Sequence, residues 1–376
     1  MPNYVQQNGT QSTLPVNGAQ ISQVYSHVAI GEYGQMSTLS PALKAISTDP
    51  PAVEVTAVAE VVARQYDLRG NYEPLVSERD QNFSLRIDDG RRFVVKIVSR
   101  AEDAEATDFQ IGLLQHLQQT DDVIVPAVVP TLGGTGSGEF KFADARYRVR
   151  IVSWVEGEPL EAGDLDATQA WQFGAALARL GEALQDYAHP GENRALAWDL
   201  QRIVELSSLV ENIDDDAIRT AVSGAIHDYE HRVLPAKANL PTQVIHGDAN
   251  PGNVLAGDDG IAFIDFGDGV RAPRVFDLAI AASYLRTAGE DPLLLIAPFV
   301  GGYQSVSQLD ALELDLVFDL VRARLAITIT LLYWRLSARD DDDPYRQKTL
   351  ELEKSAAVFL RKLDDFGREK FFQKIR

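Results

Sequence analysis

The 376-residue sequence contains no cysteine, and this absence excludes disulfide bonds and thiolate metal sites. Long apolar runs are also missing, since none reaches the roughly 18 residues that a membrane-spanning helix requires. Residues 1–30 lack the basic and apolar regions of a signal peptide. We therefore expect a cytoplasmic protein without a membrane partner.

Basic residues are scarce as well. The chain has 35 Lys and Arg against 55 Asp and Glu, which gives a formal net charge of −20. A protein that binds the nucleic-acid backbone needs a basic surface, so this balance argues against a nucleic-acid partner. An acidic surface suits a small cationic substrate, such as an amine or an amino sugar. The same charge would also serve solubility alone.

The composition is otherwise that of a globular protein, with 45% hydrophobic and 24% charged residues. Its length exceeds one ordinary domain and fits two lobes plus an extension. We predict a flexible N-terminal extension over residues 1–51, rich in Gln, Asn, Ser, Thr and Gly, with a homodimer contact as its alternative use. We predict an N-terminal lobe over 52–156 and a mostly helical C-terminal lobe over 157–376.

The most informative stretch is 243–269, QVIHGDANPGNVLAGDDGIAFIDFGDG. Short apolar segments, predicted to be strands, alternate here with turn-forming residues. This pattern puts three polar side chains at strand ends or in the adjoining loop: Asp248, Asn253 and Asp265. We expect them to converge at one site.

Phosphoryl transfer is the chemistry that needs this set of residues. The spacing H-x-D-x-x-x-x-N, followed by D-F-G, is the catalytic-loop and metal-loop signature of kinases. It predicts that Asp248 lies beside the acceptor hydroxyl and that Asn253 and Asp265 hold Mg²⁺, which prefers oxygen ligands and keeps several waters. Gly247 replaces the arginine of the usual signature.

Lys96 is the candidate nucleotide-binding cation, because it is the central residue of an apolar strand, FVVKIV. The loop before this hairpin, residues 77–83, contains no glycine, so small and amide residues would have to present main-chain N–H groups to phosphates. The acid that orients Lys96 should come from the next helix. Glu105, Asp108 and Gln110 compete for this role, and the spacing of the leucines favours Asp108 or Gln110.

Two further regions supply candidates for ligand contacts. The last strand of the first lobe ends near Trp154 and Val155, whose main chain would meet the nucleotide base, with Trp154 either beside the base or in the core. Arg324 is embedded in an apolar helix, 316–336, and a buried arginine needs a partner. That partner is either a substrate carboxylate or a structural acid such as Asp277.

The strings HGDANPGNVL, IDFGD and VFDLAIA resemble the aminoglycoside phosphotransferase and choline kinase-like family, which has the protein-kinase-like fold. The sequence is most similar to the hydroxylysine kinase group, through DQNF, FVVKIVS and DFQ, over residues 53–370. The resemblance implies an α+β bilobal fold, with a small antiparallel-sheet lobe that binds nucleotide and a larger helical lobe that is catalytic. It also implies a phosphate loop formed by Asp80, Gln81, Asn82 and Phe83.

The resulting hypothesis is a kinase that uses ATP or GTP and Mg²⁺ to phosphorylate a hydroxyl of an amine-bearing substrate, such as a hydroxylysine-like amino acid or an amino alcohol. Asp248 is its catalytic carboxylate, and Asp268 would receive the substrate ammonium. The alternatives are an aminoglycoside-modifying phosphotransferase and a non-catalytic nucleotide-binding module.

Overall fold

The computed structural model describes residues 42–43, 48, 50–77, 79–160, 165–287, 289–337 and 344–376. Most of the predicted extension over residues 1–51 therefore lies outside the described residues. The strands are β1 (Gly70–Leu75), β2 (Gln81–Ile87), β3 (Arg92–Ile97), β4 (Val128–Val129), β5 (Gly138–Phe142), β6 (Ala145–Ser153), β7 (Glu158–Pro159), β8 (Thr242–Ile245), β9 (Val254–Gly257), β10 (Gly260–Phe263) and β11 (Val270–Pro273).

The longer α-helices are α1 (Val55–Tyr66), α2 (Ala104–Leu117), α3 (Ala167–Leu184), α4 (Asp216–Asp228), α5 (Arg274–Ala282), α6 (Ile296–Val306), α7 (Ala311–Ser337), α8 (Pro344–Phe366) and α9 (Arg368–Ile375). Shorter helical segments connect them: 3₁₀ turns at Pro190–Glu192, Leu200–Asn212, Lys237–Asn239, Pro251–Asn253 and Phe266–Asp268, a π turn at Tyr229–Val233 and one α turn at Leu234–Ala236.

The first lobe is built on a six-stranded antiparallel sheet in the order β1-β2-β3-β6-β4, with β5 also paired to β6. Strand β3 alternates between its two faces, because Phe93, Val95 and Ile97 enter the core while Lys96 projects from the other face. The register pairs Lys96 with Asn82 on β2. The strand pairing thus fixes the position at which the Lys96 ammonium enters the cleft.

The second lobe is organised around α7, a 27-residue helix that is apolar on nearly every side. A helix of this kind is stable only when other elements surround it. It contacts the 3₁₀ segment Leu200–Asn212 and helices α4, α5 and α8. The predicted apolar helix over 316–336 is confirmed, and its rigidity gives Arg324 a fixed position in the lobe.

Two small sheets carry the central motif. Strand β8 pairs with β11, and β9 pairs with both β10 and β7. The predicted strands of 243–269 are therefore present, and the motif loops lie at their ends. Within the described ranges, no helix is long and apolar enough to cross a membrane.

Candidate active site

The β9–β10 hairpin brings the two candidate metal ligands together. Val254 pairs with Phe263, and the N–H of Ile264 donates to the carbonyl of Asn253 at 2.9 Å. Because Asn253 precedes one strand and Asp265 follows the other, both side chains start from the same open end of the hairpin. The eleven residues between them form the hairpin, whose turn brings its two ends together.

Three donors fix the carboxylate of Asp248. Its Oδ2 accepts from the amide groups of Asn250 at 2.9 Å and Asn253 at 3.0 Å. Its Oδ1 accepts from Nη2 of Arg324 at 3.0 Å. Bonds of this kind to an ionised acceptor are short and directional, so the carboxylate is held in one orientation beside the cleft.

Buried groups beneath the site hold the loop that carries Asp248. The carboxylate of Asp277 accepts the main-chain N–H groups of His246 at 3.0 Å and Gly247 at 2.9 Å. Nδ1 of His246 accepts the N–H of Asp248 at 3.2 Å, so Nε2 carries the proton and donates to the carbonyl of Ile264 at 3.0 Å. Burial raises the pKa of Asp277, although the two main-chain N–H bonds oppose that shift.

Gly247 stands where the kinase signature has arginine, and the local geometry explains the change. Its φ is +79°, a conformation that glycine adopts without steric cost. A β-carbon at this position would lie 2.2 Å from the carbonyl oxygen of Asp268. The catalytic loop and the segment after Asp265 approach so closely here that no side chain fits.

Asp265 faces the first lobe. It has a left-handed backbone with φ +57°, which is uncommon for a residue other than glycine and is typical of functional sites. Its Oδ1 accepts from Nζ of Lys96 at 3.0 Å. The Lys96 ammonium holds the pKa of this carboxyl well below its usual range, and half of the side chain is exposed to the cleft.

The donor set fits a hard divalent cation that brings further ligands with it. The amide nitrogen of Asn253 is used by Asp248, which leaves the amide oxygen for a ligand, and Asp265 offers carboxylate oxygen. Among the described residues, no group of three or more His, Cys, Asp or Glu side chains could enclose a metal ion. Two protein oxygens suit Mg²⁺, whose remaining positions water and phosphate oxygens fill.

Two arginines join the lobes next to this site. Arg79, in the loop between β1 and β2, bonds Asp268 at 2.6 Å. Arg194 bonds Glu102 at 3.2 Å and the carbonyl of Gly267 at 3.0 Å. The charge of Asp268 raises the pKa of Arg79, so this guanidinium is permanently charged. With Lys96 and Asp265, three charged contacts cross the cleft.

A family profile described as "Phosphotransferase enzyme family" matches residues 71–310, which include Lys96, Asp248, Asn253 and Asp265. The chain belongs to this family. Curated relatives include hydroxylysine kinase of Danio rerio, 27% identical over 78% of this chain and 88% of the relative, and hydroxylysine kinase of Mus musculus, 23% identical over 79% and 85%. Homoserine kinase of Gluconobacter oxydans is 26% identical over 76% of this chain and 87% of the relative.

Solved structures show the same fold. An amicoumacin kinase in complex with AMP-PNP, Ca²⁺ and Ami superposes with a TM-score of 0.66, at 17% identity over 82% of this chain and 93% of that one. A microcompartment-associated aminopropanol kinase gives 0.65, at 19% identity over 83% and 98%. The phosphotransferase thus has the predicted bilobal kinase-like fold, and it is a small-molecule kinase.

The structure contradicts our prediction that Asp108 or Gln110 orients Lys96. Neither Asp108 nor Gln110 contacts that lysine, whose described partner is Asp265. Asp108 lies on the outer face of α2 and bonds Arg148 at 2.8 Å. Gln110 is buried but bonds Arg150 and Glu102. The spacing of the leucines favoured both residues, but of the two only Gln110 lies on the buried face of α2, and the spacing does not indicate which sheet residue stands opposite it.

The predicted phosphate loop, Asp80 to Phe83, is also wrong in part, because three of its four residues lie in a strand. The loop between β1 and β2 covers residues 76–80, so Asp80 lies in it while Gln81, Asn82 and Phe83 belong to β2. Phe83 is buried against Tyr72 because its position in the strand points it toward the core. Asp80 accepts the N–H of Ser99 at 3.0 Å and braces the loop.

Trp154 and Val155 follow β6 in the connection between the lobes and are both half-buried. Trp154 is not a plain core residue, since the guanidinium of Arg92 stacks over its ring at 3.7 Å. The main-chain N–H of Trp154 donates to the carbonyl of Arg92 at 3.1 Å, and this bond extends the β3–β6 pairing to the cleft.

Arg324 was expected to bind a substrate carboxylate or Asp277, but its guanidinium group has other hydrogen-bond partners. It bonds Asp248, the carbonyl of Trp198 at 2.6 Å and the hydroxyl of Tyr284 at 3.2 Å. Asp277 accepts main-chain N–H groups instead. Asp268, expected at the substrate ammonium, is paired with Arg79. No local pattern indicates these pairs, because their members lie 76 and 189 positions apart in the chain.

Proposed function

We propose that this kinase transfers the γ-phosphoryl group of ATP or GTP to a hydroxyl of a small amine-bearing acceptor, and that Asp248 receives the acceptor hydroxyl. The observation that carries the proposal is the convergence of Asp248, Asn253 and Asp265 at one hairpin end, with Lys96 bonded across the cleft at 3.0 Å. This arrangement supplies the carboxylate, the metal ligands and the phosphate-binding cation that phosphoryl transfer needs.

Each residue of the site has a separate role in the proposed reaction. Asp248 orients the hydroxyl and accepts its proton, while Arg324, Asn250 and Asn253 hold the carboxylate toward it. Asn253 and Asp265 would hold Mg²⁺, which neutralises the phosphate oxygens as charge redistributes. Lys96 turns from Asp265 to the phosphates when nucleotide binds.

The acceptor class follows from the comparisons and the charge. The curated relatives named above are kinases of two hydroxy amino acids, hydroxylysine and homoserine. The net charge of −20 favours an acceptor that carries an ammonium group. An aminoglycoside would also satisfy the charge, and failure of the expressed protein to protect bacteria from kanamycin would reject that alternative.

Replacement of Asp248 tests the proposal. We expect Asp248→Asn to lower kcat with the accepted hydroxyl compound by roughly 10²- to 10⁴-fold, because the proton acceptor is lost. Nucleotide affinity, measured by thermal shift with Mg²⁺ and ATP or GTP, should change only a few-fold, since Lys96 and Asp265 remain.

The matched control is Asp258→Asn, which changes the same side chain in the exposed turn between β9 and β10. It should behave like the wild type in both measurements. Loss of nucleotide binding in parallel with activity in Asp248→Asn would contradict the role proposed for Asp248, and absence of transfer to any acceptor in a panel of amino alcohols and hydroxy amino acids would contradict the function.

A further inference from the structure

A chain of hydrogen bonds runs from the sheet of the first lobe to the segment Asp265–Asp268, which we name the metal loop. It begins at Arg150 on β6, whose register partner on β3 is Lys96. The guanidinium of Arg150 donates to Oε1 of Gln110, and Nε2 of Gln110 donates to Oε1 of Glu102 at 3.0 Å. The sheet, helix α2 and the residues just before that helix are thereby linked.

The second half of the chain crosses to the second lobe. Arg194 donates from Nη2 to Oε2 of Glu102 at 3.2 Å and from Nη1 to the carbonyl of Gly267 at 3.0 Å. Glu102 and Arg194 have 13% and 10% of their side chains exposed, so solvent screens this ion pair weakly. Gly267 lies two positions after Asp265. Helix α2 is therefore bonded, through Glu102 and Arg194, to the loop that carries a candidate metal ligand.

The metal loop has a backbone shape that needs support. Asp265 has φ +57°, and a left-handed backbone at a residue other than glycine persists only where neighbouring groups hold it. The bond from Arg194 fixes the carbonyl of Gly267, and the bond from Arg79 fixes the side chain of Asp268. Because contacts behind a metal ligand determine how well that ligand is oriented, these bonds affect how Asp265 meets Mg²⁺.

The identity of residue 110 fits this chain. Arg150 can only donate and the carboxylate of Glu102 accepts, so Gln110 presents its oxygen to the first and its amide nitrogen to the second. A glutamate at position 110 could accept from Arg150, but it would put a second carboxylate against Glu102. Gln110 is 1% exposed, so water would screen that repulsion little. Glutamine is therefore the residue that joins these two partners.

We propose that Glu102 is a positioning residue for Mg²⁺, and that Gln110, Glu102 and Arg194, which we name the α2 link, hold the metal loop in the shape that presents Asp265 to the ion. The inference rests on the proposed function, because it takes Asp265 as a Mg²⁺ ligand. Helix α2 acts in this way on the metal and not on Lys96. A change in the position of α2 would therefore change the affinity for the ion.

The affinity for AMP-PNP with and without Mg²⁺, measured by isothermal titration, tests the proposal. The ratio of the two affinities, which we name the metal gain, reports how well the protein holds the ion beside the nucleotide and does not depend on turnover. In Glu102→Gln the metal gain should fall by roughly 10- to 100-fold, the range for loss of a contact behind a metal ligand. The affinity without Mg²⁺ should stay within a few-fold of wild type, because Lys96 is unchanged.

Gln110→Glu separates a role toward the metal from a role toward Lys96, because the two expectations have opposite signs. If the α2 link acts on the metal loop, the new carboxylate repels Glu102, and the metal gain should fall as it does in Glu102→Gln. If position 110 acts on Lys96, an acid there should bind that lysine and leave the metal gain at the wild-type value or above it.

Further variants test the order of the contacts. Glu102→Asp keeps the charge and should recover part of the metal gain. Glu102→Gln/Arg194→Met should lose little more than Arg194→Met alone, since both changes break the same chain. The matched control is Glu105→Gln, which changes an exposed residue in the first turn of α2 and should keep the full metal gain. Melting temperatures identify the variants that fold.

A wild-type metal gain in folded Glu102→Gln or Gln110→Glu would overturn the inference and leave the kinase function intact, even if the melting temperature falls. An equal loss of AMP-PNP affinity with and without Mg²⁺ would also overturn it, because that result assigns the α2 link to the phosphates. A loss of the same size in Glu105→Gln would overturn it as well. Absence of AMP-PNP binding in the wild-type protein would contradict the proposed function, and the inference with it.

Discussion

The two sides of the catalytic cleft carry their positive charges in opposite ways. On the nucleotide side three cations each bond an acid: Lys96 bonds Asp265, Arg79 bonds Asp268 and Arg194 bonds Glu102. On the acceptor side, Arg324 bonds the carboxylate of Asp248, and a second guanidinium, that of Arg286, lies 5.4 Å from the ring of Tyr284, whose hydroxyl Arg324 also bonds.

The difference indicates how each side meets its ligand. A phosphate that enters the nucleotide side competes with a carboxylate already bonded to the cation, so binding is an exchange of partners. On the acceptor side Arg324 already holds the carboxylate of Asp248, so an acceptor hydroxyl can meet that carboxylate without an exchange of partners. Four perturbations test this contrast.

The largest effect is expected on the nucleotide side. Lys96→Met should lower kcat/KM by roughly 10²- to 10³-fold, because the phosphates lose their cation. It also removes the charge that depresses the pKa of Asp265, so that this pKa should rise toward its usual range. Steady-state kinetics checks the first effect, and NMR titration of labelled aspartate checks the second.

Lys141→Met is the control, because Lys141 is exposed on β5 and faces away from the core. It should retain wild-type kinetics. Full activity in Lys96→Met would refute the assignment of this lysine to the phosphates.

Arg324 tests whether the acceptor side positions the catalytic carboxylate. Arg324→Ala should lower kcat by roughly 10- to 100-fold, and millimolar guanidinium chloride should restore part of it, since the ion can occupy the vacated place beside Asp248. In the Asp248→Asn background the same change should have little further effect.

Arg322→Ala is the comparison for this variant, because its side chain lies two residues away on α7 and pairs with Asp228 and Asp364 outside the site. It should lower the melting temperature and leave kcat near wild type. A purely structural Arg324 would show additive losses in the double variant and no rescue.

The Arg79–Asp268 pair tests the exchange of partners directly. If Asp268 competes with phosphates for Arg79, then Arg79→Gln should weaken ATP binding a few-fold while Asp268→Asn strengthens it or leaves it unchanged. The two changes should be coupled by about 1 kcal/mol, as is usual for a partly exposed ion pair. Isothermal titration of the single and double variants measures the coupling. A rise in acceptor KM in Asp268→Asn would instead assign that carboxylate to the substrate ammonium.

Glu353 is a buried carboxyl group outside the cleft, and it serves as a comparison for the charges in the cleft. Its replacement should leave activity unchanged. It is 2% exposed, its Oε1 has no partner among the described residues, and burial raises its pKa to about 7. The raised pKa stabilises the fold below about pH 4.5, and that contribution is lost as the pH rises through about 7.

Glu353→Gln does not titrate, so it should become more stable than wild type as the pH increases, by about 2–3 kcal/mol at pH 8.5 and near zero at pH 4.5. Denaturant unfolding at the two pH values measures the difference. An equal difference at both values would show that Glu353 titrates normally.

Local pattern in the sequence predicts the parts of this molecule that local geometry determines. Asp248, Asn253 and Asp265 can be identified from sequence because short strands and one tight turn fix their relation. Lys96 can be identified because it is the one charged residue within the apolar strand FVVKIV, and the structure places it on the face opposite the core.

Pairs formed by the packing of distant elements could not be predicted in this way. Helix α2 has a clear buried face, but nothing in its spacing indicates that Asp108 meets Arg148 or that Gln110 meets Arg150. Gln81–Phe83 are extended because β2 pairs with β3. This pairing determines their conformation, although the polar residues just before them are typical of a loop.

Gly247 limits how this centre can be rebuilt. The carbonyl of Asp268 occupies the space that the first carbon of any side chain would need. A library that randomises positions 246–248 should therefore return glycine at the middle position among its active clones. By the same reasoning, a lineage with arginine there must route the chain after its metal-binding aspartate along a different path, so the two forms of the motif cannot interconvert by one substitution.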